Sequence, residues 1–163
     1  MKKIIVGAIA IMLMACAIST MAQRLDQRTF TITPSLCYTY MLNSDVRDDC
    51  GNPFGIVLDF EWAACPVGIE AGYLQSKKDG EKHSYIPIFA SYYDFVNDQS
   101  YWKAAAGAVA TKHAGEKSTK FGFELGYGCY FNNDFNVELD YVYYNKIDDL
   151  KFHGIQASVG YTF

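Results

Sequence analysis

Residues 152–163 read FHGIQASVGYTF. Taken every second residue, His153, Ile155, Ala157, Val159, Tyr161 and Phe163 form one set. Phe152, Gly154, Gln156, Ser158, Gly160 and Thr162 form the other. The first set is mostly apolar and finishes in two aromatics, while the second is mostly small or polar. A repeat of two is that of a β-strand, whose side chains alternate between its faces. The strand runs to Phe163, the last residue. So apolar an end suits a strand whose outward face meets something other than water.

The same alternation recurs upstream. In 29–40, Phe30, Ile32, Pro34, Leu36, Tyr38 and Tyr40 oppose a row of Thr, Ser and Cys. Residues 54–62, 67–74, 120–131 and 135–144 repeat it, with Gly, Asp and Glu on the second face. Segment 84–95 is apolar on both faces, so periodicity leaves its register open. Pro87 within it needs a site where a missing N–H is tolerated. Segment 101–111 is alanine-rich and by propensity alone suits a helix. As a helix it would leave seven strands and reverse the alternation of long and short connections, so it is read as strand five. The count is then eight strands of about 8–12 residues, near the ~9–11 that cross a bilayer at barrel tilt. Long connections centre on Asp48, Asp79, Gly115 and Asp148, and the others are short. The expected fold is all-β, an eight-stranded antiparallel up-and-down transmembrane β-barrel in which strand eight closes on strand one. Both termini would lie on the short-turn side, facing the periplasm.

Composition agrees. The 163 residues suit one domain, and 16 % aromatic residues with thirteen Gly favour strands over helices. A net charge of −4 argues against a nucleic-acid partner. Lys2 and Lys3, the apolar stretch 4–14 and Thr20-Met21-Ala22 read as an export signal. The expected domains are therefore a signal peptide, 1–22, and a barrel, 23–163. Leu13-Met14-Ala15-Cys16 offers an alternative lipidation box. Beyond it no apolar run is long enough for a membrane helix. Cys37, Cys50, Cys65 and Cys129 form an even set that permits disulfides. No C-x-x-C occurs, so neither a zinc nor a redox site is expected, and no metal ligand or cofactor is assigned.

Six carboxylates, Asp59, Glu61, Glu70, Glu124, Glu138 and Asp140, fall on the small or polar face of their strands. A one-residue slip would turn each toward lipid, where a charge costs up to roughly 2–4 kcal/mol at mid-depth for Lys or Arg and somewhat less for Asp or Glu. They are read as an acidic cluster in the lumen, with Lys103 and Lys120 as its basic partners. On the other face, Trp62, Trp102, Phe131, Phe135, Tyr161 and Phe163 would form one aromatic girdle. Tyr38, Tyr40, Phe54, Tyr73, Phe121, Tyr141 and Tyr143 would form the second.

On the export signal, the strand pair 121–131 and 135–143, and the ending Val159-Gly160-Tyr161-Thr162-Phe163, the chain resembles the small eight-stranded outer-membrane barrels of OmpA-barrel, OmpX and OmpW type. It is especially similar to the porin-like barrel proteins of Bacteroidetes. Tyr85-Ile86-Pro87-Ile88-Phe89 looks like that family's fourth strand. The resemblance implies residence in the outer membrane of a Gram-negative cell and contact with its lipids and lipopolysaccharide. It also makes Tyr161 and Phe163 the signal read by the outer-membrane assembly machinery.

The activity implied is coarse: a non-enzymatic barrel with a structural, surface-binding or small-solute or ion passage role. The loops at 41–53 and 75–83 are the candidate surface for an extracellular ligand, with Lys77, Lys78 and Lys82 placed to meet lipid phosphates. Two alternatives stand beside it. A lipid-modifying enzyme would need a nucleophile beside His83, His113 or His153, and His153 is followed by Gly154-Ile155 without a His-x-Ser. A soluble periplasmic lipid-binding barrel would keep its apolar face inside, and the Gly-x-Trp start of such barrels is missing.

Overall fold

The computed structural model describes residues 30–62, 66–113, 116–131, 134–147 and 150–163. The expected export segment with Cys16, the cysteine at 65 and the loop centres at Gly115 and Asp148 lie outside the described residues. The chain runs β1 (Phe30–Met41), α1 (Ser44–Cys50), β2 (Phe54–Trp62), β3 (Val67–Lys78), β4 (Glu81–Asn97), β5 (Ser100–His113), β6 (Glu116–Tyr130), β7 (Phe135–Ile147) and β8 (Leu150–Tyr161). Each strand pairs antiparallel with the next, and β8 pairs with β1 from Ser35–Gly160 to Met41–Gly154, closing the barrel. No helix among the described residues is long and apolar enough to cross a membrane. One end of the barrel carries α1 and the other carries Phe163; they are called here the helix end and the terminal end.

The alternation works as the sequence implies, but inside out relative to a soluble barrel. Leu36, Ile56, Ile88, Phe121, Leu125 and Val159 are all more than half exposed, while the small and charged residues between them are buried. The alanine-rich segment is a strand, paired on both sides with β4 and β6. Ala104, Ala106 and Ala108 face outward. Two complete ladders outweigh the helical preference of alanine, which is a weak prior.

Two expectations change, and one open register is resolved. The stretch 75–83 is not a loop: β3 and β4 continue as a paired hairpin, Lys77 opposite Lys82 and Lys78 opposite Glu81. It turns at Asp79 and Gly80, whose φ values of 49° and 89° are those of a tight hairpin turn. The stretch 41–53 holds a helix. Asn43 caps it by accepting from the Asp45 N–H at 3.0 Å, and Gly51 ends it at a positive φ of 76°. In β4, whose register periodicity leaves open, three aromatics point inward. Tyr85, Phe89 and Tyr93 are buried in the lumen, and Ile86, Ile88 and Tyr92 face out. The β3–β4 register skips the residues opposite Gly72 and Tyr73, where Pro87 has no N–H to give.

Candidate functional site in the barrel lumen

The lumen has two layers. Toward the terminal end it is polar and centred on Lys103 of β5, an ammonium with 4 % exposure. Its Nζ lies 3.0 Å from Glu70 Oε2, 2.6 Å from Glu124 Oε1 and 3.3 Å from Glu138 Oε2. Glu70 stands on β3 and Glu138 on β7, four strands apart in a ring of eight. Lys103 therefore ties opposite walls together. Asp140 lies opposite Gly126 in register, and a Cβ at 126 would overlap its carboxylate. Gly126 is there because the lumen has no space for a second side chain at that level. Asp59 accepts from the Tyr93 hydroxyl at 3.1 Å. Below, Asn136 donates to the Tyr101 hydroxyl at 2.9 Å, and the hydroxyls of Thr33 and Thr162 meet at 2.9 Å.

Toward the helix end the lumen is aromatic. Tyr85 of β4 stacks on Tyr144 of β7 with centroids 5.8 Å apart, and meets Phe152 of β8 at 5.9 Å. Since β4 and β8 are diametrically opposed, these rings span the barrel. Gln156 sits under them, accepting from Tyr144 at 2.7 Å and from Thr39 at 2.9 Å. Helix α1 covers the layer with Val46 and Cys50, one turn apart and both fully buried, in one cluster with Met41, Leu74, Tyr85, Tyr144 and Phe152. Arg47 fixes the helix from its other side, donating to the Tyr40 hydroxyl and the Met41 carbonyl, each at 3.1 Å.

Of the expected acidic cluster, Asp59, Glu70, Glu124, Glu138 and Asp140 are each at most 3 % exposed. Glu61 has the same inward parity but is half-buried, near the terminal rim. Lys103 stands among the acids. Lys120 does not: it is exposed, four residues along β6 from Glu124 toward the helix end, opposite Val109. Parity gave its side of the sheet correctly but not its depth. The aromatic layer was missed, because an alternating pattern assigns aromatics to lipid. Cys129 is in a disulfide, and Cys37 and Cys50 are free thiols.

The girdle residues follow the expected face. Trp62, Trp102, Phe131, Phe135 and Phe163 are exposed at the terminal end, as are Tyr38, Phe54, Tyr73 and Phe121 toward the helix end. Tyr161 lies between Phe135 and Phe163, with centroid distances of 4.8 and 4.7 Å.

The fold is shared with known barrels. It is similar to the N-terminal β-barrel domain of Pseudomonas aeruginosa OprF, with 11% identity, TM-score 0.56, and coverage of 82% of this chain and 97% of that one. It is similar to a de novo designed transmembrane β-barrel at 12% identity and TM-score 0.61, over 85% and 100% of the two chains. It is also similar to Ail, the attachment invasion locus protein of Yersinia pestis, at 17% identity and TM-score 0.52, over 82% and 96%. No curated protein sequence matches it. The family model for the outer membrane protein beta-barrel domain matches residues 8–163, nearly the whole chain, and this protein belongs to that family.

Proposed function

We propose that this protein is a closed outer-membrane barrel with a structural and surface-binding role, which neither passes solutes nor catalyses a reaction. The observation that carries this is contact across the lumen at two levels: Lys103 joining β3 to β7, and Tyr85 meeting Phe152 across the full ring. An eight-stranded barrel is just wide enough for side chains to fill, and here they do so from wall to wall. The histidines support the non-enzymatic reading. His153 meets the Tyr141 hydroxyl at 3.3 Å, and His113 meets His83 and Cys50, so the histidine partners among the described residues are a tyrosine, a cysteine and another histidine.

The helix end is the external one in this reading, and both termini are periplasmic. Exposed lysines support it. Lys77 is opposite Lys82 and Lys112 is opposite Lys117, all four on the outward face beyond the girdle nearer the helix end. Like charges directly opposed on neighbouring strands are destabilising, and the phosphates of lipopolysaccharide at that height would offset the repulsion. The surface formed by α1 and the 75–83 hairpin is then the face offered to an extracellular ligand.

Planar-bilayer recording of the refolded protein is the test. Absence of unitary conductance is expected. Stable cation-preferring steps whose selectivity changes in Glu124→Gln would overturn closure and restore ion passage.

A further inference from the structure

At the helix end, three metal-ligating side chains converge from three separate elements. Cys50 is the last residue of α1 and fully buried. His83, on β4, is 1 % exposed, and His113, the last residue of β5, is half-buried. Cys50 Sγ lies 3.3 Å from His113 Nδ1, and His113 Nδ1 lies 2.9 Å from His83 Nδ1. All three donor atoms fall within 4.8 Å of one another. The histidines stand one residue beyond the Ser84–Lys112 pair, so the β4–β5 ladder holds them side by side, and their rings stack at 4.7 Å. Helix α1 delivers the thiol to the same point.

From this geometry we propose that Cys50, His83 and His113 form a site for a thiophilic divalent cation, zinc(II), which fastens α1 over the barrel mouth. Zinc takes imidazole nitrogen at about 2.0–2.1 Å and thiolate sulfur at about 2.3 Å, so its tetrahedral ligands stand about 3.3 Å (N to N) and about 3.6 Å (N to S) apart. The His83–His113 and Cys50–His113 separations need to widen by a few tenths of an ångström, and Cys50 and His83, within 4.8 Å of one another, close to about 3.6 Å as the metal draws them in. One thiolate with two imidazoles suits zinc and disfavours magnesium or calcium, which take oxygen ligands. On binding, the Cys50 thiol releases its proton to solvent and the sulfur coordinates as thiolate. Three protein ligands leave a fourth position, on the side where His113 reaches the surface, for water or an outside group. His83 Nε2 is buried without a hydrogen-bond partner in the described structure. Bringing Nδ1 to a cation leaves that Nε2 as the N–H, so the metal fixes the ring's tautomer. C-x-x-C spacing is no guide to such a site, because its ligands lie on a helix and two strands joined only by folding. The inference holds whether or not the lumen conducts.

The probe is cobalt(II), added to tag-free, folded, reduced and chelator-stripped barrel in detergent. One equivalent per chain should give a thiolate-to-cobalt charge-transfer band with tetrahedral visible bands, and one equivalent of zinc(II) should displace it. The charge-transfer band should vanish in Cys50→Ser, the tetrahedral spectrum should be lost in His83→Ala and in His113→Ala, and both should persist in Cys37→Ser. Heat-modifiable gel mobility checks that each variant remains a barrel. Hydrogen exchange on the unmutated protein adds a readout free of folding defects, with zinc slowing exchange across residues 44–50. No charge-transfer band, a band surviving in Cys50→Ser, or unchanged exchange in 44–50 would overturn the proposal.

Discussion

Lys103 is the residue on which the polar layer depends. Its ammonium touches three carboxylates that are buried as it is, and Asp140 lies in the same register row, across Gly126. Removing one partner of a buried ion pair leaves charge without compensation and costs about 3–5 kcal/mol. Lys103→Met should therefore lower unfolding stability by about that much in urea titrations of the refolded barrel. Lys103→Met combined with Glu124→Gln should recover part of the loss, because it also removes a carboxylate that would otherwise face its neighbours. A double variant no more stable than the single one would mean that the cluster is solvated and Lys103 is not its keystone. Much of this layer was legible in the sequence, since the strand period fixes which face a carboxylate takes. Depth along the barrel was not, and so Glu61 and Lys120 share the parity of the cluster without sharing its burial.

The strands carry their own signal, and α1 carries a weaker one. In 29–40 or 120–131 every second residue votes for the same face, and the paired register follows that vote. Where both faces are apolar, as in 84–95, the vote is split. The structure resolves it by sending Tyr85, Phe89 and Tyr93 inward, where they fill the lumen beside small residues of other strands. For α1 the clues are short: Asn43 as cap, Gly51 as stop, and Val46 and Cys50 four apart on one face. Seven residues are too few for a helix to stand alone, so packing on the aromatic layer decides it. Asn43→Ala removes the cap and should weaken the lid by about 1 kcal/mol. Hydrogen exchange should report this as about fivefold faster exchange confined to 44–50, given that 1.4 kcal/mol is tenfold. Equal acceleration throughout β1–β8 would show instead that the helix is integral to barrel stability. The hairpin at Asp79-Gly80 makes a second prediction at this scale. Its exposed turn should accept an epitope insertion, and the epitope should be detected by antibody on intact cells if the helix end is external. Detection only after permeabilisation would invert the proposed orientation.

For the whole molecule, closure depends on β8 meeting β1, and the last residues of the chain sit at that seam. Phe163 donates its N–H to Ile32 O at 3.0 Å and packs its ring edge-on against Tyr161, yet it remains 64 % exposed. Such contacts are worth little to the finished barrel: about 1 kcal/mol for the hydrogen bond and about 0.5–1.5 kcal/mol for the aromatic pair. For an exposed terminal aromatic that contributes so little once folded, we propose a role as a mark read during assembly. Deleting Phe163 should therefore separate two quantities. The urea midpoint of protein refolded into detergent should fall only slightly, consistent with about 1–2 kcal/mol. The amount of heat-modifiable barrel in the outer-membrane fraction of cells should fall several-fold. Normal outer-membrane levels without Phe163 would remove its role as an assembly signal. A large loss of stability in the refolded protein would make Phe163 a structural clasp of the β1–β8 seam instead.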